Sequence, residues 1–230
     1  MKKIILIALA ISALAGASPA MAANWTGLNI NVGAGSGAWS ADTSTLNNTT
    51  GAPILGFVQT QGGKGGLGKV GIGYDYQYNN NFVVGLLADY DFADLKGTIQ
   101  DQGPFYAGNI KEQYSYAAGA RIGWLFSPDT LTYIDGGWSR AHFSSATMVT
   151  TFAGVPSTVS TPAFNKNGWF LGLGMDTQIV PDWFLRAEYR YAEYGKTNLQ
   201  EGTSTTAISF KPTVQTGSLQ VVYKFSSLHF

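Results

Sequence analysis

Apolar and polar residues alternate along eight stretches of the chain, which is the pattern of β-strands with one apolar and one polar face. The alternation predicts strands at 25–39, 67–77, 82–92, 112–126, 131–143, 167–179, 183–193 and 213–225. The connections between them are tight turns at Tyr78–Asn81, Ser127–Thr130 and Val180–Asp182, and long loops near 40–66, 93–111, 144–166 and 194–212. Long and short connections that alternate in this way are typical of an outer-membrane barrel. The pattern therefore predicts an all-β fold, an eight-stranded antiparallel up-and-down transmembrane β-barrel.

The apolar face of these strands is predicted to face lipid. Its aromatic residues gather near the strand ends, where the two interfacial belts of a membrane barrel lie. They are Tyr76, Phe92, Tyr114, Trp124, Phe126, Trp169, Tyr191, Tyr223 and Phe225. A soluble barrel would instead turn its apolar face inward. In the favoured membrane barrel the long loops, rich in Ser, Thr, Asn and Gly, are expected outside the cell and mobile, and both termini are expected in the periplasm.

The charged residues on the polar face nearly balance, as a closed interior requires, because buried charges must pair. The predicted lumen charge network consists of Lys69, Asp75, Asp89, Arg121, Asp176, Arg186, Glu188, Arg190 and Lys224, and Asp91 is a further charge on the same polar face. These charges could also be read as the rings of a pore. Eight strands, however, enclose an interior that side chains can just fill, which favours a structural network.

The fifth strand has the weakest pattern. Its even-numbered face, marked by Ile134 and Trp138, is predicted to face lipid, which places Tyr133 and Asp135 in the lumen. Arg140 then faces outward, where a charge at the midplane would cost about 2–4 kcal/mol. Two explanations stay open from the sequence: a position near the outer loop, or a bulge at Gly136-Gly137 that shifts the register.

The first residues read as a secretory signal peptide. Met1-Lys2-Lys3 is a positive start, an apolar stretch follows, and Ala20-Met21-Ala22 fits a small-x-small cleavage site. Cleavage is expected between Ala22 and Ala23, which leaves a barrel domain at 23–230. The alternative is an uncleaved anchor helix, for which the apolar stretch is short.

Composition removes several classes of function. Charged residues make up 12% of the chain, against about a quarter in soluble proteins, and no basic run is present that would bind nucleic acid. Cysteine is absent and only His142 and His229 could serve as imidazole ligands, so neither a zinc site nor a catalytic site is expected. Gly63 to Gly68 matches G-x-G-x-x-G, but no strand precedes it and no helix follows it. We therefore interpret it as a loop that returns to the barrel.

Several short motifs in order along the mature chain carry a family resemblance. They are Trp25-Thr26-Gly27, Gly71-Ile72-Gly73-Tyr74, Asp89-Tyr90, Arg121-Ile122-Gly123, Gly172-Leu173-Gly174, Ala187-Glu188-Tyr189-Arg190-Tyr191 and Tyr223-Lys224-Phe225. The chain resembles the small alphaproteobacterial outer-membrane barrels, a porin-like family that includes surface antigens and haemin-binding proteins. The resemblance implies a terminal aromatic residue that is presented to the barrel-assembly machinery, either Phe230 or Phe225. It also implies an inward acid where this chain has Leu87, so one lumen ion pair of the family is in doubt here.

The function predicted from these observations is that of a non-enzymatic outer-membrane surface protein that contributes to envelope structure and external contacts. Its expected partners are outer-membrane lipids and an unknown external ligand of the long loops. Two alternatives stay open: a small porin, and a protein that binds or takes up haemin or another small ligand. The haemin alternative rests mainly on the resemblance, with His142 and Met148 as the candidate iron ligands. No other cofactor is expected.

Overall fold

The computed structural model describes residues 24–47, 49–54, 58–79, 81–100, 106–152, 155–200 and 206–225, and these residues form eleven strands. The predicted signal peptide and the end of the chain at 226–230 lie outside the described residues. The strands are β1 (Gly27–Asn47), β2 (Gln59–Gln77), β3 (Phe82–Gln100), β4 (Ala107–Ser127), β5 (Thr130–Phe143), β6 (Ala146–Phe152), β7 (Val155–Thr161), β8 (Phe164–Val180), β9 (Trp183–Tyr194), β10 (Thr197–Gln200) and β11 (Thr206–Phe225). No helix among the described residues is long and apolar enough to span a membrane.

Eight of these strands close into a ring, which confirms the predicted antiparallel barrel. The order around the ring is β1, β2, β3, β4, β5, β8, β9 and β11, and every neighbouring pair is antiparallel. The ring closes between the first and last strands, where the pairing runs from Leu28 with Phe225 to Asn47 with Thr206. Beyond the ring, the β6–β7 hairpin pairs with the outer part of β4, and β10 pairs with β11.

The barrel has two different ends. At one, which we call the turn end, the strands are joined by residues 78–81, 128–129 and 181–182, and Asp182 adopts a positive φ of 66° to make the tightest connection. The first residue of β1 and the last residue of β11 also lie there, so both ends of the ring are on the same side. At the opposite end, the loop end, the strands continue far beyond their predicted limits.

The prediction of long, mobile loops at 40–66, 93–111, 144–166 and 194–212 is wrong for most of these residues. β1 continues to Asn47, β2 begins at Gln59, β3 continues to Gln100, and strands β6, β7 and β10 occupy much of the rest. The reason is that the apolar face changes sides. Trp39 and Ala41 turn inward and are buried, whereas Ile30 and Val32 lower on the same strand are exposed on the outside. The extension at the loop end therefore folds around an apolar core, as a water-soluble barrel does.

Between the two ends runs an apolar belt that faces outward. Its members include Leu86 and Val32, which are 67% and 59% exposed, positions that only a lipid environment makes favourable. Two rows of aromatic residues bound it. The turn-side aromatic row is Tyr76, Phe82, Trp124, Phe126, Trp183, Tyr223 and Phe225, and the loop-side aromatic row is Tyr90, Phe92, Tyr114, Tyr116, Trp138, Trp169 and Tyr191.

The height of the belt fits the apolar part of a bilayer. Trp183 and Tyr191 lie eight positions apart on β9, a distance of about 26 Å along a strand. A tilt near 40° reduces this to about 20 Å along the barrel axis, close to the apolar band of about 25 Å in known outer-membrane barrels.

The register of β5 is continuous through its two glycines. Gly136 pairs with Ala120 and Gly137 with Gly119, so the proposed bulge at this point is absent. Arg140 faces outward two positions beyond Trp138, toward the loop end. The first explanation from the sequence is therefore correct: the charge lies at the edge of the belt, where its cost is small.

The glycine-rich motif from Gly63 to Gly68 is not a loop, since it lies within β2. Gly63, an inward glycine of this motif, makes room for the indole of Trp39 together with its partner Gly97 on β3. A Cβ added at Gly97, which pairs with Gly63, would lie 2.5 Å from Cζ2 of Trp39. The indole Nε1 donates to the carbonyl of Leu95 at 2.9 Å. These glycines thus serve core packing in the extension.

Candidate functional site

The lumen is filled from end to end by inward side chains, in four layers. From the turn end these are an apolar cluster, a first group of ion pairs, a second group of ion pairs and a large apolar core in the extension. The arrangement follows from the strand alternation, because every second residue of each strand points inward.

The turn-end cluster closes the ring at its turn end. It consists of Trp25, Val83, Leu125, Leu131, Tyr133, Phe184 and Val222. The ring of Trp25 lies 4.9 Å from that of Phe184, and its Nε1 donates to the carbonyl of Pro128 at 3.2 Å. A residue before the first strand is thereby fixed across the opening.

The first ion group is centred on two buried aspartates. Asp75 accepts from Arg121 Nε at 2.8 Å, from Lys224 Nζ at 2.6 Å and from Asn29 Nδ2 at 2.9 Å. Asp176 accepts from Arg186 through two hydrogen bonds of 2.7 and 2.8 Å, the bidentate geometry that gives the strongest pairs. Arg121 joins the two aspartates, since its Nη1 lies 3.3 Å from Asp176 Oδ2.

The second ion group lies toward the loop end. Lys69 Nζ lies 3.3 to 3.4 Å from carboxylate oxygens of Asp89, Asp91 and Glu188. Arg190 binds Asp89 through two hydrogen bonds of 2.8 and 2.9 Å. It also lies 3.2 Å from Glu188 and 3.4 Å from Asp135.

Tyr133 connects the two groups. Its ring lies 4.9 Å from the guanidinium carbon of Arg121 and 5.6 Å from that of Arg186, and its hydroxyl donates to Glu188 at 3.1 Å. Above it, the guanidinium of Arg190 stacks 4.3 Å from the ring of Phe170, which belongs to the core of the extension. The layers are therefore in direct contact.

A small cavity lies between the second ion group and the core of the extension. The cavity beside Arg190 measures about 10 Å³ and is lined by Asp91, Ser115, Ser139, Tyr194 and Thr216 among others. That volume holds about one water molecule. Several buried polar atoms near it make no hydrogen bond within the described residues: Oδ1 of Asp135, Oε2 of Glu112, Nε of Arg190, and Oδ1 of Asp91, whose contact with Lys69 is an ion pair only.

Above these layers lies the core of the extension. Its buried members include Trp39, Leu95, Ile99, Ile110, Phe143, Met148, Phe170, Tyr194, Leu199, Ile208 and Phe210. The rings of Phe143, Phe164 and Phe210 contact one another at centroid distances of 5.2 to 5.8 Å. Leu87, which stands where the family resemblance implied an acid, packs at the margin of this core. An apolar contact occupies the position of the missing ion pair.

The structure places all of the predicted lumen charges inside the ring and brings them together into the two groups. Two further participants had no assigned role in the sequence prediction, Tyr133 and Asp135. Glu112 is another buried acid that the sequence prediction did not place inside. The alternation along β5 already predicted that Tyr133 and Asp135 face inward. The alternation of even and odd positions could not identify Glu112. A register shift between Glu112 and Tyr114 turns Glu112 inward and Tyr114 outward, although both are even-numbered.

The two haemin candidates are on opposite faces of the wall. His142 faces outward, where its ring stacks on Tyr114 at 4.7 Å and its Nδ1 lies 2.9 Å from Oδ1 of Asn165. Met148 is fully buried in the core of the extension. The structure therefore does not bring them together. Among the described residues, no group of three or more His, Cys, Asp or Glu side chains is arranged to hold a metal ion.

A barrel with a lipid-facing belt and a charged, filled lumen agrees with the result of a comparison with known families. Residues 6–225 match the model of the outer membrane protein beta-barrel domain. The chain belongs to the outer-membrane β-barrel family. This confirms the family resemblance and places the protein in the outer membrane of a Gram-negative cell.

Relatives of known identity agree with this assignment. The 31 kDa outer-membrane immunogenic proteins of Brucella melitensis and Brucella suis are each 27% identical over 213 residues, which cover 91% of this chain and 87% of theirs. Among solved structures, the outer membrane protein OprG from Pseudomonas aeruginosa is similar with a TM-score of 0.54 and 14% identity, over 90% of this chain and all of OprG. In the orientation of this family the turn end lies in the periplasm and the loop end outside the cell.

Proposed function

We propose that this protein is a non-enzymatic surface protein that contributes to the structure of the outer membrane and makes contacts outside the cell. The observation that carries the proposal is the filled lumen. Two apolar layers enclose two layers of ion pairs, and a cavity among them, beside Arg190, has room for about one water molecule. A solute path would need these layers to separate.

The extension supports the second half of the proposal. Its strands hold an apolar core outside the bilayer and carry polar residues on the outer surface, among them Ser40, Asp42 and Thr60. A surface that is held on a folded core presents fixed contact points, at a lower entropic cost of binding than a mobile loop would.

The surroundings of His142 favour a non-enzymatic role over a hydrolase. A catalytic histidine is oriented by a carboxylate and contacts a nucleophile. His142 instead meets the amide of Asn165 and the ring of Tyr114 on the outer surface.

Deletion of the gene in its host tests the proposal, with the wild-type gene and an empty vector as complements. We expect the deletion strain to become more sensitive to detergent and to release more membrane vesicles, and the wild-type gene to restore both properties. Entry of a small hydrophilic β-lactam into intact cells should stay unchanged. An intact envelope together with reduced uptake of solute or haemin would overturn the proposal in favour of transport.

A further inference from the structure

Three lysines form a continuous row on the outer surface of neighbouring strands. Lys64 of β2 pairs directly with Lys96 of β3, and Lys96 pairs directly with Lys111 of β4. Each lies at an outward position, between inward residues such as Leu95 and Ile110. Like charges directly opposite one another destabilise a sheet. The row therefore requires an explanation other than the stability of the barrel.

The row keeps a net positive charge. Asp94 lies 2.9 Å from Lys96 Nζ and 3.0 Å from Lys111 Nζ. Hydrogen bonds from both lysines lower the pKa of the Asp94 carboxyl, so it stays ionised and offsets one of the three charges. Within the described residues Lys64 has no carboxylate at ion-pair distance, and the side chain of Lys96 is 67% exposed. Two positive charges are thus left for an external partner.

The distance of the lysine row from the loop-side aromatic row shows at which depth of the membrane its partner lies. Gly68 of β2 pairs with Phe92 of the loop-side aromatic row, and Lys64 lies four positions further out. Four residues rise about 13 Å along a strand, or about 10 Å along the barrel axis at a tilt near 40°. Lysine side chains can also bend toward the membrane surface. The ammonium groups therefore lie in the headgroup layer above the outer leaflet.

The distribution of charge between the two sides supports a partner in the outer leaflet. Every cationic residue outside the two ion groups that the structure describes lies at the loop end or beside it: Lys64, Lys96, Arg140, Lys111, Lys166, Lys196 and Lys211. The charged residues of the tight turns are Asp129 and Asp182, which are half-buried and acidic. An anionic headgroup at the loop end complements this asymmetry.

We propose that Lys64, Lys96 and Lys111 form a binding site for the phosphate groups of an anionic glycolipid in the outer leaflet. An ammonium group is a compact point charge that suits phosphate oxygens. The three strands hold neighbouring lysine backbones about 5 Å apart. The aromatic residues directly below, Phe92 and Tyr114, supply the ring surface that contacts the acyl and sugar boundary of the same lipid.

The test measures binding of lipid A to the refolded mature chain in detergent by native mass spectrometry. The probes are the forms of lipid A with two phosphates, one phosphate and none. The test variant is K64Q/K96Q/K111Q. The control variant, K166Q/K196Q/K211Q, makes the same charge change at the loop end on strands away from the row, at β8, at the connection before β10 and at β11. A gel mobility shift on heating verifies that each variant is folded.

We expect the wild type to bind the two-phosphate form at least tenfold more tightly than the phosphate-free form. The row variant should bind the two-phosphate form at least tenfold more weakly than the wild type does, and the phosphate-free form equally well. The affinity of the control variant for the two-phosphate form should change less than threefold. Equal losses in both variants, or no loss in the row variant, would overturn the proposal. The proposal would also be overturned if the row variant lost binding of a heparin fragment but still bound lipid A. The partner of the row would then be a soluble polyanion.

A single variant separates binding from folding. Because Lys96 has a lysine on each side, K96Q should raise the melting temperature or leave it unchanged while it weakens binding of the two-phosphate form. A lowered melting temperature with unchanged binding would show that Lys96 is structural and contradict the proposal.

Discussion

Asp75→Asn is expected to be among the most destabilising isosteric changes in the lumen. The carboxylate of Asp75 is fully buried and is shared by two cations, Arg121 and Lys224, from opposite sides of the ring. The amide keeps the size of the side chain but removes the charge. Arg121 still has Asp176 at 3.3 Å. Lys224, however, keeps only the carbonyl of Trp25 at 3.2 Å and the neighbouring aromatic rings.

The expected magnitude follows from the loss of one partner in a buried ion pair. Such a loss costs about 3–5 kcal/mol, because an uncompensated charge stays buried. The assay is urea unfolding of the refolded mature chain in lipid vesicles, followed by tryptophan fluorescence and by the gel mobility shift. Asp94→Asn is the matched control, since Asp94 makes two ion pairs on the exposed surface and its loss should not measurably change stability.

The double variant D75N/K224Q tests the cause. If the unpaired ammonium of Lys224 is the main penalty, the double variant should recover about half of the loss or more. A loss below about 1 kcal/mol in the single variant, or a double variant less stable than the single, would refute the reasoning. In either case the lumen would be wet enough to solvate its charges, contrary to the filled lumen that the structure shows.

Three further predictions concern the extension and the wall. Trp39→Ala should lower the free energy of unfolding by about 3–5 kcal/mol, as loss of a buried indole does, and calorimetry that shows no change would mean that the extension has no core. Trypsin should leave folded protein uncut at Lys96 and Lys111, because extended paired strands resist proteolysis; rapid cleavage there would support mobile loops instead. Gly119→Val should abolish the heat-dependent mobility shift, because its Cβ would lie 2.9 Å from Cζ of Phe170 and overlap the backbone at Gly136; a folded variant would show that the wall can separate at this point.

The sequence was sufficient for the ring because the membrane imposes one rule on every strand. Apolar residues such as Ile72 and Leu86 must face lipid, so parity alone separated the two faces and turned the charged residues inward. It could not indicate which charges meet across the lumen. The contact between Lys69 and Glu188, from strands on different sides of the ring, depends on barrel diameter and stagger, which no local pattern encodes.

The extension was missed for a different physical reason. Outside the bilayer, water replaces lipid, and the apolar face moves from the outside of the wall to the inside. Trp39 and Ile99 thus point inward, next to polar residues that resemble a loop in composition. At Glu112 a bulge adds a shift in parity at the same boundary. These strands could have been found by continuing the search beyond the loop-side aromatic row. There the same alternation continues, but the apolar residues lie on the inward face.

The central claim is that the lumen is closed, and single-channel conductance of the refolded mature chain in a planar bilayer tests it most directly. The filled layers predict a flat current trace at physiological voltages, with insertion verified by the gel mobility shift and by protease protection of the belt. Regular conductance steps from the same preparation would contradict the account, because ions would then have a path past Arg121 and Arg190.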